Sequence, residues 1–371
     1  MGTTVNPAAQ KVIAFVKEHR VSVWKEGQIK LQSDTQTRPT SRMREVIASA
    51  EVGDEQYGHD PSVNKLCQET AELLGKEAAV FLPSGTMCNE IALLVHCRPG
   101  DEIYAHRTAH ILISEAGGSA ALAGVQVCPI DGPRGQYSAE ALQAAIQPQT
   151  RYTPTARLVL VEQTSNGGGG TVWPLESIRQ VADTAREKGL QLHMDGARLM
   201  NAVVASGTSA EEFSAPFDSV WLDFTKGLGC PIGAVLAGSA DFIHEAWKWK
   251  QRIGGSMRQA GMMAAACSYA LRHHVDRLAE DHENARHFAS IASQCEGVRI
   301  DSEPIETNLV FFDIAGTGVA AATVHARLEA ESINVGQSAA TRLRICTHLD
   351  VSREQVETAA HAFVNIVNDL R

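Results

Sequence analysis

Between Leu31 and about residue 280, short apolar runs at residues 78–82, 157–161, 190–194 and 219–222 alternate with longer stretches of helical spacing. A continuous apolar run is buried on both faces, and strands separated by helices pair most simply in parallel, through crossovers that cover the sheet. The alternation therefore predicts an α/β fold with a mostly parallel sheet between two helical layers. Residues 257–280, rich in alanine and free of proline, read as one long helix leaving that domain. Beyond it the texture changes to a helix over 282–293, strand-like pieces at 298–300, 307–313 and 342–347, and a closing helix over 353–370, as in a small α+β domain. Residues 1–27 read as an appended arm with a short amphipathic helix. The expected organisation is an arm (1–27), a large domain (28–280) and a small C-terminal domain (281–371).

A chain of 371 residues with 44% hydrophobic content buries a core without needing a metal or a disulfide framework. Its net charge of -10 argues against nucleic acid or an anionic membrane surface as partner, since both need clustered Lys and Arg. A small-molecule substrate fits better. The eight cysteines form no C-x-x-C pair and suit reduced, packed thiols rather than a metal site. With no signal-like start and no apolar run near the ~18 residues of a membrane helix, a cytoplasmic protein is expected.

Three motifs sit where strands should give way to loops, the edge at which open α/β sheets bind ligands. In His193-Met194-Asp195-Gly196-Ala197-Arg198, an acid ends an apolar run. Such an acid suits either a helix cap or the partner of a protonated pyridine nitrogen, which would make the ring an electron sink. Asp223-Phe224-Thr225-Lys226-Gly227-Leu228-Gly229 follows another run. A lysine amine must lose its proton to act as a nucleophile, and apolar surroundings favour the uncharged form; the alternative is a solvated surface charge. Pro83-Ser84-Gly85-Thr86-Met87-Cys88-Asn89 opens a helix with small residues, as an ordinary turn capped by Ser84 or as an anion cup of backbone N–H groups. Arg258 is either a cation for that anion or a helix-start arginine.

Taken together the motifs resemble the threonine aldolase family of pyridoxal-phosphate (PLP) enzymes. The likeness runs from Leu31-Gln32-Ser33-Asp34-Thr35 through Val52-Gly53-Asp54-Glu55-Gln56-Tyr57-Gly58, Ser84-Gly85-Thr86, His110 with Glu115-Ala116-Gly117-Gly118, and Asp195-Gly196-Ala197-Arg198. It continues in Lys226-Gly227-Leu228-Gly229 and Met257-Arg258-Gln259 and ends in Arg344-Ile345-Cys346-Thr347-His348-Leu349-Asp350. The resemblance implies a PLP-dependent transferase-like (fold type I) large domain with a mostly parallel seven-stranded sheet, and a homotetramer built as a dimer of dimers. It also implies roles: Lys226 as the Schiff-base lysine, Asp195 at the ring nitrogen and His110 stacked on the ring. Ser84, Gly85, Thr86, Thr225 and Arg258 would hold the cofactor with Arg198, and Ser33, Tyr57, Ser165, Arg198 and Arg344 would meet the substrate.

One departure stands out. Where the family has Thr-His-Asn this chain has Thr164-Ser165-Asn166, followed by four glycines at 167–170. A serine is no base at neutral pH, so the substrate proton would pass to His110, to water or to the cofactor phosphate. A smaller side chain on a flexible loop would also admit β-substituents larger than methyl, as in phenylserine. The expected reaction is retro-aldol cleavage of an L-β-hydroxy-α-amino acid to glycine and an aldehyde. A β-eliminating lyase and a weakly catalytic PLP-binding protein are the alternatives.

Overall fold

A computed structural model of the protein describes residues 27–371, so the helix expected in the arm lies outside the described residues. The chain enters through a two-residue strand, β1 (Ile29–Lys30), and then builds a large sheet from β2 (Ala78–Leu82), β3 (Glu102–His106), β4 (Gln126–Ile130), β5 (Ala156–Glu162), β6 (Gln191–Gly196), β7 (Ser219–Asp223) and β8 (Ala234–Gly238). Its seven strands run in the order β2-β8-β7-β6-β5-β3-β4. Only β8 runs against the rest, antiparallel to both β2 and β7. The carboxyl ends of the other six consequently open on one edge.

Strand alternation sorts the core into two layers. Along β2, Val80 and Leu82 face the helices Gly85–His96 and Ala240–Arg252, whereas Phe81 joins Leu66, Val181 and Ala264 on the opposite face. Strands β3, β7 and β8 are buried at every residue, as a sheet covered on both sides requires.

The small domain carries β9 (Arg299–Ile300), β10 (Leu309–Asp313), β11 (Ile333–Asn334), β12 (Gly336–Gln337) and β13 (Arg342–Cys346). Four of these form an antiparallel sheet in the order β12-β13-β10-β9, while β11 pairs in parallel with β1. Phe312 meets Phe363 edge-on at 4.9 Å in a core that also takes Leu31 from the chain's start. The architecture is α/β with a small α+β domain.

The expected single helix over 257–280 is instead broken. The helix Gly261–His273 stops, residues 274–277 turn, and a second helix, Leu278–Ala292, begins. No proline or glycine marks the break, so local propensity could not reveal it. The buried His274 ring engages the Leu228 carbonyl at 2.7 Å, and beyond the turn Ala285 and Phe288 enter the small-domain core. Tertiary contacts override helix propensity here.

One buried ion pair fastens the loops beside the sheet edge. The Lys250 ammonium, fully buried, pairs with Glu55, donates to the Phe81 carbonyl at 2.7 Å and lies over the Trp247 ring at 4.2 Å. The second Glu55 oxygen accepts from the Met257 N–H at 2.9 Å, and Glu55 N–H donates to the Arg258 carbonyl at 3.1 Å. Removing one partner leaves a buried charge unpaired, which costs about 3–5 kcal/mol. Lys250→Met is therefore expected to lower unfolding stability by roughly that amount in urea titrations, whereas Lys248→Met, half exposed on the same helix, should change it by less than about 0.5 kcal/mol.

Candidate active site

A cavity of about 390 Å³ lies at the carboxyl edge of the sheet, and it gathers most of the residues singled out in the sequence. Ser33, Ser84, Gly85, Thr86, His110, Asp195, Arg198, Thr225, Lys226 and Arg344 all line it.

The end of β7 delivers the lysine. Asp223 Oδ1 accepts from both the N–H and the hydroxyl of Thr225, at 3.0 and 2.8 Å, and this tight turn brings Lys226 Nζ to 2.5 Å from Asp223 Oδ2. The backbone is held from the other side by Thr37, whose hydroxyl donates to the Lys226 carbonyl at 2.9 Å. On the neighbouring strand Asp195 is buried, and its hydrogen bonds come from neutral donors: Asn89 Nδ2 at 2.9 Å and the Ala197 N–H at 3.0 Å. Burial raises its pKa against the help of Asn89. Neutral donors leave the carboxylate's charge uncompensated, as a site meant for a cationic ring nitrogen would.

The loop after β2 satisfies both sequence readings at once. Ser84 caps the helix Gly85–His96 by accepting from the Met87 N–H at 3.3 Å, while Gly85 and Thr86 expose that helix's positive end to the cavity. A Cβ on Gly85 would stand 2.2 Å from Trp221 Cη2, so only glycine lets the backbone lie against the indole.

His110 follows β3. Its N–H donates to Glu162 at 2.7 Å and its Nδ1 meets Glu115 at 2.7 Å. The Glu115 hydrogen bond raises the imidazole's pKa despite desolvation. Glu162, which pairs in register with Asp195, is pushed up to about 7 by burial and by that neighbouring carboxylate.

Two arginines line the same cavity. The buried Arg198 is forked onto Asp34, Nε and Nη2 each donating at 2.7 Å, and Asp34 also accepts from Asn308 at 3.0 Å. Burial works against the Asp34 charge, yet Arg198 holds its carboxyl well below the usual range. Arg344 donates to the Gln32 carbonyl at 2.7 Å. The remaining Nη1 of each arginine points at one atom, Asn166 Oδ1, at 3.4 Å from both.

Three expected site residues do not join this group. Tyr57 is 74% exposed, and Arg258 pairs with Asp54 at 2.9 Å, both away from the cavity on the loops held by Lys250. Ser165 is buried but turned away: its Oγ accepts from the Gly168 N–H at 3.2 Å and would sit 1.8 Å from a Cβ on Gly135. The glycine run is not slack either. A Cβ would come within 2.4 Å of Thr108 at Gly167, 1.8 Å of the Arg134 carbonyl at Gly168, 2.3 Å of Ser302 at Gly169 and 2.3 Å of Thr307 at Gly170. Close packing on all four corrects the expectation of a flexible loop, and Ser165 opens no room toward the cavity.

Over residues 30–315 the chain matches the family model described as beta-eliminating lyase. It is 42% identical over 335 residues to the low specificity L-threonine aldolase of Escherichia coli (strain K12), covering 90% of this chain and 98% of that one. The chain belongs to this family of PLP-dependent lyases. Low-specificity L-threonine aldolase 1 of Arabidopsis thaliana is 36% identical, with 90% and 95% of the two chains covered. A threonine aldolase structure from Leishmania major superposes with a TM-score of 0.78 at 20% identity, over 92% of this chain and 99% of that one, and shares the fold.

The cavity fits the cofactor this family uses. It offers an amine on Lys226, a buried acid with neutral partners in Asp195, and a helix amino terminus for a phosphate, and these are the three chemical handles of pyridoxal phosphate. Asp223, Glu162 and Asn166, to which the sequence alone attaches no role, also line the cavity. Asp223 and Asn166 lie in quoted motifs, but only their side-chain directions give them meaning.

The Asp34 pair sets a pH signature. Because its folded pKa is depressed, its stabilisation is present above the unfolded value of ~3.9 and fades as pH falls toward the folded one. Asp34→Asn should cost about 3–5 kcal/mol at pH 7, and the gap between variant and parent in chemical denaturation should narrow below about pH 4.

Proposed function

We propose that this lyase cleaves L-β-hydroxy-α-amino acids, L-threonine and L-allo-threonine among them, to glycine and an aldehyde. The observation that carries this reading is the convergence of Arg198 and Arg344 on one oxygen atom, that of Asn166, in the cavity that Lys226 also lines. Two guanidinium groups aimed at a single oxygen mark the seat of a substrate carboxylate.

Lys226 is assigned the covalent hold on the cofactor, Asp195 its ring nitrogen, His110 its ring face, and Ser84, Gly85, Thr86 and Thr225 its phosphate. Bound pyridoxal phosphate supplies the electron sink that makes cleavage at Cα accessible. Arg198, rigid on Asp34, and Arg344, with Ser33, fix the carboxylate and so decide which bond at Cα is aligned for breaking. Asn166 yields its place to the incoming carboxylate. With Ser165 facing Gly135, proton movement at the substrate hydroxyl falls to His110. Glu115 holds the Nδ1 proton, which leaves Nε2 as the basic atom once pH exceeds the raised pKa.

Tyr57 and Arg258 take their roles in a neighbouring subunit's cavity, within a homotetramer arranged as a dimer of dimers. Their exposure on loops fastened by Lys250 supports this, because a side chain held so firmly away from its own cavity is available to another. Eight free cysteines, six of them buried, suit a reducing cytoplasm. Among the described residues no helix is long and apolar enough to cross a membrane.

Incubation of the PLP-loaded protein with L-threonine, L-allo-threonine and phenylserine should release aldehyde and glycine in equal amounts, and Lys226→Ala should abolish both the release and the visible absorbance. Keto acid and ammonia in their place would establish elimination instead. Mixing Lys226→Ala with Arg258→Ala subunits, each nearly inactive alone, should restore part of the activity if Arg258 acts across the interface; no recovery in proven mixed oligomers would remove that assignment.

A further inference from the structure

Beneath the cavity floor a line of buried polar groups, outside the chemistry assigned above, runs from the protein surface to Asp195. Asn89, wholly buried, is its hub. The amide nitrogen donates to Asp195 Oδ2 at 2.9 Å and to Glu115 Oε1 at 2.8 Å, while the amide oxygen receives Trp221 Nε1 at 2.7 Å and lies 3.2 Å from His193 Nε2. All four hydrogen-bonding positions of the amide are used. Beyond it, His193 Nδ1 meets Ser219 Oγ at 2.7 Å, Ser219 Oγ meets His96 Nε2 at 2.7 Å, and His96 Nδ1 lies 2.5 Å from Oε1 of the exposed Gln191.

The direction of the bonds in this line follows from the fixed donors and acceptors around Asn89. Two carboxylates accept and an indole N–H donates, so the Asn89 amide can face only one way: turned over, its oxygen would meet two carboxylates and its NH₂ would meet a second donor. Its oxygen must then accept from His193, which places the His193 proton on Nε2. Nδ1 is left as an acceptor, so the Ser219 hydroxyl donates to it. Ser219 in turn accepts from His96 Nε2–H, and His96 Nδ1 is left bare, so the Gln191 amide, whose Oε1 stands against it, has to turn over and donate from its nitrogen. Both imidazoles stay neutral over the working range, because burial lowers His193 to about 3 and His96 to about 4.

We propose that Asn89 is the positioning residue for Asp195 and Glu115, and that Trp221 together with the chain His193–Ser219–His96 fixes which way its amide faces. One amide thus orients both the acid assigned to the ring nitrogen and the acid that holds His110, coupling the two ends of the catalytic group through a single side chain. The inference rests on the reading of Asp195 as the ring-nitrogen partner; the direction of the hydrogen bonds does not depend on which reaction follows.

Neutron diffraction from deuterated crystals of the PLP-loaded protein tests the bond directions. Deuterium is expected on His193 Nε2 and His96 Nε2, with both Nδ1 atoms bare. Deuterium on His193 Nδ1 with Nε2 bare would overturn the proposal. In solution, His193→Phe removes the donor and should lower kcat for threonine cleavage about tenfold to hundredfold while KM changes little. It should also displace the pH midpoint of the cofactor's visible band, and His193→Gln, whose amide can donate from nearly the same place, should restore much of both. Trp221→Phe serves the same purpose should His193→Phe fail to fold, with loss of the other donor expected to shift the same midpoint. A folded, loaded variant with unchanged kcat and midpoint would reduce the line to packing and overturn the proposal. Failure of the parent protein to release aldehyde would remove the aldol reading and leave the neutron result standing.

Discussion

The fork between Arg198 and Asp34 holds the molecule's parts in register. Asp34 comes from the segment just after β1, whose partner strand belongs to the small domain. Arg198 follows β6 of the large sheet, and Asn308 adds a third grip from the threshold of β10. A charge pair removed from water is stabilising only when its geometry is good and its remaining hydrogen-bonding positions are filled. Both conditions are met, with two bonds of 2.7 Å and an amide on the acid. The same fork immobilises a guanidinium whose free nitrogen faces the cavity. Domain junction and proposed substrate seat are thus one structural device.

Around that device the carboxyl edge of the sheet works as a shared mounting rail. Asp223 and Glu162 each end a strand and Asp195 lies one residue from the end of its own, and strand pairing sets their spacing before any side chain is chosen. Loops would position such groups less firmly. Asn89 reaches the same edge from the layer of helices beneath, which is why a residue with no sequence signal sits among groups that have one.

Much of the frame was legible in the sequence. The runs at 78–82, 157–161, 190–194 and 219–222 correspond to β2, β5, β6 and β7, because strands buried on both faces must be apolar throughout. The strands β3, β4 and β8 were not among the runs picked out. β3 and β4 begin with Glu102 and Gln126, and β8 is built of small residues around Val235 and Leu236. The helix break at 274–277 was hidden since its cause, the Leu228 carbonyl, is remote in sequence. Ser165 misled for a related reason: a motif gives a residue's place along the chain, not the side of the turn to which it points. Lys226, Asp195 and Gly85, singled out in the sequence, do line the cavity, because each is tied to a backbone position near the end of a strand or at the start of a helix.

The glycine run bears on how such a chain can change. Four successive glycines ordinarily count as spare length, the natural place for a mutation to try a new side chain. Here each is pressed by a different neighbour, Thr108, Arg134, Ser302 or Thr307, drawn from three separate stretches of the polypeptide. A larger residue at Gly167, Gly169 or Gly170 has to wait for a matching loss of bulk elsewhere, and at Gly168 the obstacle is a backbone carbonyl that no substitution removes. The loop is thus an evolutionary lock, and diversification of this cavity has easier routes through Thr35 and Ser114, which line it and are exposed.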